Sequence, residues 1–252
     1  MLIGLFSLLL SLFSGGSMEV FYIDKIEDGV NKYVSDKDQK KVLKAMLKDY
    51  NKAVEEFNKN RKKYLKTLEK QNLDKTTAVE WYTNFFSHRL AERRELQDLF
   101  IDQRIKLQQK ISQDEWDNIM KMSTDEAIKL EKKEQKKSSK QKSKVFFEKQ
   151  KDAIVANISD DEKLLLVLHE LDAYEKNAKE IQENYDDINT NESDLLADKN
   201  ATKKELGELA NGLNDLRQKM YDNYMQFFLV LKNNTSDDEY EKIIKEFNKV
   251  IK

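Results

Sequence analysis

The chain has no proline and only six glycines in 252 residues. Average usage would give about a dozen prolines and more than twice as many glycines. Gly4, Gly15 and Gly16 lie near the start, leaving Gly29, Gly207 and Gly212 for everything that follows. Sandwiches, barrels and doubly wound sheets depend on frequent tight turns, and phosphate-cradling loops depend on clustered glycine. Neither requirement is met. With 37% charged residues, the chain is expected to be all-α, its long helices joined by short polar turns.

The same residues restrict chemistry. Cysteine is absent, which removes thiol nucleophiles, thiolate metal sites and disulfides together. Only two histidines occur, His88 and His169, and neither belongs to a Glu-x-x-His or His-Glu-x-x-His metal pattern. The acidic triplets at 160–162 and 237–239 fall in first helical turns, where carboxylates oppose the helix dipole, so they read as capping and not as calcium ligands. No catalytic, metal or cofactor-binding set emerges, and the expectation is a non-enzymatic protein without a cofactor. A net charge of −2 gives no overall attraction for nucleic acid.

Residues 1–17 carry an apolar run followed by Ser14-Gly15-Gly16-Ser17. This reads as the core and small-residue exit of a signal peptide, without the usual leading cation. An uncleaved N-terminal anchor would have to hold Glu19 and the two glycines. A start at Met18 would instead give a cytoplasmic protein. Export is the expectation.

Shifted by 124 residues, the chain matches itself without a gap from about 20–121 onto 144–245. Asp28 meets Asp152, Leu47 meets Leu171, Tyr50 meets Tyr174, Arg93 meets Arg217, and Trp116 meets Tyr240. Within each copy apolar residues recur at 4-3 spacing: Leu43, Leu47, Tyr50, Val54, Phe57, Tyr64 and Leu68 in the first, Val167, Leu171, Tyr174, Ala178, Ile181, Tyr185 and Ile188 in the second. Such a period over several heptads means helices packed along their length. The domains follow: 18–122 as helical unit 1, 123–144 as a lysine-rich linker that is helical or flexible, and 145–252 as helical unit 2. Each unit should be a long antiparallel hairpin with coiled-coil-like packing, flanked by short helices.

Helix starts are marked by boxes in which Ser or Thr caps the helix and an acid three residues on reaches back. The capping residues so identified are Ser35, Thr77 and Ser112 in unit 1, and Ser159, Thr202 and Ser236 in unit 2.

Four of these boxes, Val34-Ser-Asp-Lys-Asp38, Ile111-Ser-Gln-Asp-Glu115, Ile158-Ser-Asp-Asp-Glu162 and Thr235-Ser-Asp-Asp-Glu239, resemble the LTxxQ motifs of the Spy/CpxP family of bacterial periplasmic stress proteins. Ser stands where that family has Thr, and an acid where it has Gln. The resemblance implies hairpins paired into a thin cradle that binds unfolded proteins or the sensor domain of an envelope-stress kinase. A tandem chain would make that pairing with itself. Residues 35–75 carry 13 basic and 7 acidic side chains, whereas 159–199 carry 4 basic and 13 acidic. Opposite charge suggests that the first long helix of one unit pairs with that of the other, within a chain or by self-association between chains.

One mixed stretch remains. Trp81, Tyr82, Phe85, Phe86, Arg89, Arg93 and Arg94 are the candidate protein-binding residues, offering aromatic area and cations to unfolded or partner proteins. The same spacing also suits a helix with a core face and a charged face. The functional expectation is thus a chaperone-like or sensor-adaptor protein of the envelope, with a structural coiled-coil tether as the alternative. Membrane contact is expected only through an uncleaved N-terminus.

Overall fold

The computed structural model describes residues 25–191 and 193–251; the side chains of 61, 62, 124–145, 189–191, 193 and 249–251 are outside that description. The apolar run at 1–17 also lies outside the described residues. Among the described residues the protein is all-helical, without a strand. Eight helices follow in order: α1 Ile26–Tyr33, α2 Lys37–Asn72, α3 Val79–Lys110, α4 Gln113–Asn157, α5 Asp161–Asn191, α6 Ser193–Ala197, α7 Lys203–Asn233 and α8 Asp237–Ile251.

Helix α4 is one continuous helix of 45 residues. It takes in the helix begun by Ser112, the lysine-rich segment 123–144 and the lead helix of the second copy. No glycine or proline lies between 113 and 157, so nothing in the sequence stops the helix once it has started.

Side-chain pairs fix the directions. Tyr82 meets Phe228 at 5.1 Å, Phe86 meets Tyr221 at 4.3 Å, and Asn214 Nδ2 donates to Gln97 Oε1 at 2.7 Å. Numbers rising along α3 fall along α7, so these two helices cross antiparallel at the centre. Helix α2 runs antiparallel to α3, with Tyr50 on Phe100 and Tyr64 on Phe85. Helix α5 runs antiparallel to α7, with Tyr174 on Phe227 and Asn177 on Asn223. The long helices therefore form the row α2–α3–α7–α5, with α4 bridging from α1 to α8. Helices α2 and α5 are not among the extensively packed pairs; within one chain, the expected pairing of the two oppositely charged helices is replaced by the α3–α7 crossing. The reason is apolar burial: α3 and α7 bring the buried rings of Tyr82, Phe86, Tyr221 and Phe228 to their crossing, and buried apolar area outweighs exposed charge.

Each core draws on both sequence copies. One joins Leu68, Tyr82, Phe86 and Leu90 to Phe146, Tyr174, Met220, Phe227 and Phe247. The other joins Ile26, Leu47, Phe100, Trp116 and Ile119 to Ala201, Leu206 and Leu213. The turns dock reciprocally as well. Trp116 Nε1 donates to Ala197 O at 2.7 Å, and Tyr240, 124 positions later, donates its hydroxyl to Asn72 O at 2.9 Å. At Gly29 a methyl group would meet Ile119 at 3.0 Å, so glycine there permits α1 to lie close on α4.

The caps divide into two groups. At Ser112, Thr202 and Ser236 the hydroxyl accepts the N–H of the acid three residues on, and the acid accepts the serine or threonine N–H in return. Elsewhere the expected caps are corrected. Asp36 caps α2 by accepting the Gln39 N–H at 2.6 Å, and Asp160 Oδ1 accepts the N–H groups of Glu162 and Lys163 at the start of α5. Ser35 and Ser159 are drawn off as donors to a distant acid: Ser35 N–H reaches Glu115 Oε1 at 3.4 Å, and Ser159 N–H reaches Glu239 Oε1 at 3.1 Å. Thr77 is buried and turned inward, accepting from Gln71 Nε2 at 2.8 Å, while Ala78 stands at the cap position without a side-chain bond.

Glu115 and Glu239 thus each tie two helix N-termini together, across 80 residues in both cases. The N–H groups of Ser236 and then Ser159 hold the Glu239 carboxyl at about 2, against an ordinary 4.5. At Glu115 burial works against the charge, but the Ser112, Ser35 and Gln39 donors outweigh it and hold the carboxyl low. A lowered carboxyl stabilises fully above its unfolded value and loses that contribution as pH falls through its folded value. Glu239→Ala is accordingly expected to cost about 1–2 kcal/mol at neutral pH. It should also flatten the loss of stability between pH 4.5 and about 2, as read by urea denaturation across that range.

Candidate functional site

Helical spacing splits the aromatic-basic stretch at the start of α3 between two environments. Tyr82, Phe86, Arg89 and Arg93 follow one another at 4, 3 and 4 residues, the spacing of a single helix face. That face turns inward, and all four are buried. Phe86 stacks on Tyr221 with 14° between the rings, and burial pulls the Arg93 guanidinium down to about 10. In this fold these four candidates belong to the core. Trp81 and Phe85 are half-buried and Arg94 is exposed. Trp81 and Phe85 stack at 4.9 Å with 16° between their planes.

Beside this stack the structure gathers residues that the sequence left apart. Tyr64, from α2, donates its hydroxyl to Glu92 Oε1 at 2.6 Å. Arg89 meets the other oxygen of Glu92 at 2.6 Å, and its guanidinium lies 4.1 Å from the Tyr64 ring centroid. His88 Nε2 stands 3.3 Å from the same hydroxyl and 3.5 Å from Glu92. Arg89 and Arg93 both also lie over the Phe57 ring, at 5.4 and 5.5 Å. Burial first, and Glu92 second, raise the Tyr64 phenol, so it is a poor source of phenolate. With both carboxylate oxygens engaged, the cluster clamps the middle of α2 onto α3, where Val54, Phe57 and Tyr64 are only half-buried. His88 and Glu92, at i and i+4, were a visible helical pair. Its partner on α2, Tyr64, showed in the sequence only as a member of the apolar stripe.

The outward part is a shelf made by the Trp81–Phe85 stack, with exposed His88 one turn on; Arg94, nine residues after Phe85, falls on the opposite face of the helix. A second concavity, about 640 Å³, lies where α2, α4 and α8 meet, lined by Lys66, Lys70, Lys242 and Lys245 together with Glu69 and Glu246. Among the described residues no group of three or more His, Asp or Glu could hold a metal ion, and no helix is long and apolar enough to cross a membrane. No protein-family model, no curated protein and no solved structure matches the chain.

Proposed function

We propose that this is an exported, non-enzymatic protein of the bacterial envelope, similar to the Spy/CpxP proteins, which binds unfolded or partner proteins. In this reading the chain is two tandem hairpin units joined through α4, and it makes with itself the pairing that the resemblance implies for two chains. The supporting observation is reciprocity: Trp116 and Tyr240, equivalent at an offset of 124, each donate to a main-chain carbonyl in the opposite copy. The Trp81–Phe85 shelf is the contact surface left outside that pairing.

A specific observation favours the alternative of a tether or scaffold without a client. Four of the seven residues first assigned to binding are committed to the core. One assay separates the two. A chain starting at Met18 is expected to slow aggregation of a reduced or heat-denatured substrate at equimolar amounts. Trp81→Ala with Phe85→Ala should lose most of that effect while keeping the helical circular dichroism spectrum. No protection by the parent chain would leave the scaffold reading. Fractionation with N-terminal sequencing tests export, since a cytoplasmic chain retaining residues 1–17 is incompatible with it.

A further inference from the structure

Helix α2 carries an unusual face. Lys41, Lys44, Lys48, Lys52, Lys59, Lys63, Lys66 and Lys70 follow at helical spacing, all exposed, and only Glu55 interrupts them. At 1.5 Å per residue the stripe runs for about 44 Å. None of the eight is held in an ion pair among the described residues. Helix α5 carries the converse. Asp172, Glu180, Glu183 and Asp187 follow at the same spacing, all exposed, with only Lys176 between them.

Helices α2 and α5 pack on different central helices, α3 and α7, and are not among the pairs that pack extensively on one another. A two-fold dimer through either stripe would set like charge against like, which is costly. A net charge of −2 raises no general repulsion between copies. We propose that copies of this chain associate head to tail, the lysine stripe of α2 in one copy lying along the acidic stripe of α5 in the next. Two different patches paired in this way make a heterologous contact, which propagates as an open chain unless its rotation closes a ring. This inference is independent of client binding.

Charge exchange tests it. Sedimentation velocity of the full chain should show mass rising with concentration in about 20 mM salt and a single 29.8 kDa species in about 500 mM salt. Replacing Lys48, Lys52, Lys59 and Lys63 by Glu leaves both stripes acidic. Replacing Asp172, Glu180, Glu183 and Asp187 by Lys leaves both stripes basic. Each variant alone should associate at least about tenfold more weakly. An equal mixture should recover association, because each variant then meets its complement. All eight positions are exposed, so the helical circular dichroism spectrum should persist. A mixture that stays monomeric, or variants that associate like the parent, would overturn the proposal. So would a parent chain that is monomeric in low salt yet sediments with phosphatidylserine vesicles, which would make the stripe a membrane contact.

Discussion

Truncating Trp116 to alanine is expected to lower the free energy of unfolding by about 3–5 kcal/mol, the range for deleting a buried large aromatic side chain. Trp116 is 0% exposed. Its indole donates to Ala197 O, and it supports the Arg104 guanidinium at 5.3 Å, whose Nη2 in turn donates to Asp198 O at 3.1 Å. The substitution therefore removes apolar area, leaves a cavity and frees a carbonyl in the turn before α7. The more informative result is how the loss is distributed. Because each core takes residues from both sequence copies, neither copy can unfold while the other stays packed. Urea denaturation followed by far-ultraviolet circular dichroism and by fluorescence of the remaining Trp81 should give one coincident transition, shifted to lower denaturant. Two separated transitions would mean that the copies fold independently, against the reciprocal docking described above.

The all-helical class was legible because turn chemistry and heptad spacing act locally. Absence of proline and glycine, capping boxes and a 4-3 apolar rhythm each constrain a few neighbouring residues, and they agree. The boxes at Ser112, Thr202 and Ser236 were readable for the same reason. The boxes at Ser35 and Ser159 misled because Glu115 and Glu239, 80 residues away, compete for their N–H groups. No local pattern contains that competition. Thr77 misled differently: its hydroxyl closes the α2–α3 turn by bonding Gln71, leaving α3 to begin without a side-chain cap.

Pairing was the least legible layer. Charge suggested that the two oppositely charged helices meet, but exposed complementary charge is worth little beside buried apolar area. Tyr82, Phe86, Tyr221, Phe227 and Phe228, all buried, outcompete the lysines of α2 for the central position. The two charged helices are thereby not paired extensively with one another, and their exposed stripes are what the proposed association draws on. The candidate binding stretch divides on a related point, four of its residues being buried. Aromatic and arginine residues are enriched both at interfaces and, by way of their apolar bodies, under helix crossings. Composition alone could not separate the two, whereas the helical register of Tyr82, Phe86, Arg89 and Arg93 places all four on one inward face.

Replacing Arg217 by methionine is expected to stabilise the protein, by about 1–3 kcal/mol, the order of a buried polar group's desolvation cost. Arg217 is 1% exposed, at the antiparallel crossing that also buries Arg93, its counterpart at an offset of 124. Burial lowers its pKa to about 10, and Tyr221 only partly offsets this. At neutral pH the guanidinium is still charged, so the folded state bears the cost of a cation removed from water. Methionine keeps an unbranched, flexible stem out to the ε position and carries no charge. Arg217→Ala should act in the opposite direction, because it deletes the stem along with the charge and leaves a void against Asn214 and Tyr221. The pair of variants separates charge from volume. Gain in methionine with loss in alanine, read from urea midpoints at constant m-value, identifies desolvation as the cost of this position. A loss of more than about 1 kcal/mol in both would show that the guanidinium hydrogen bonds outweigh that cost. Arg93→Met combined with Arg217→Met then tests the crossing as a unit. Both guanidiniums feel Tyr221, so the two gains should be non-additive, the second substitution adding less than the first.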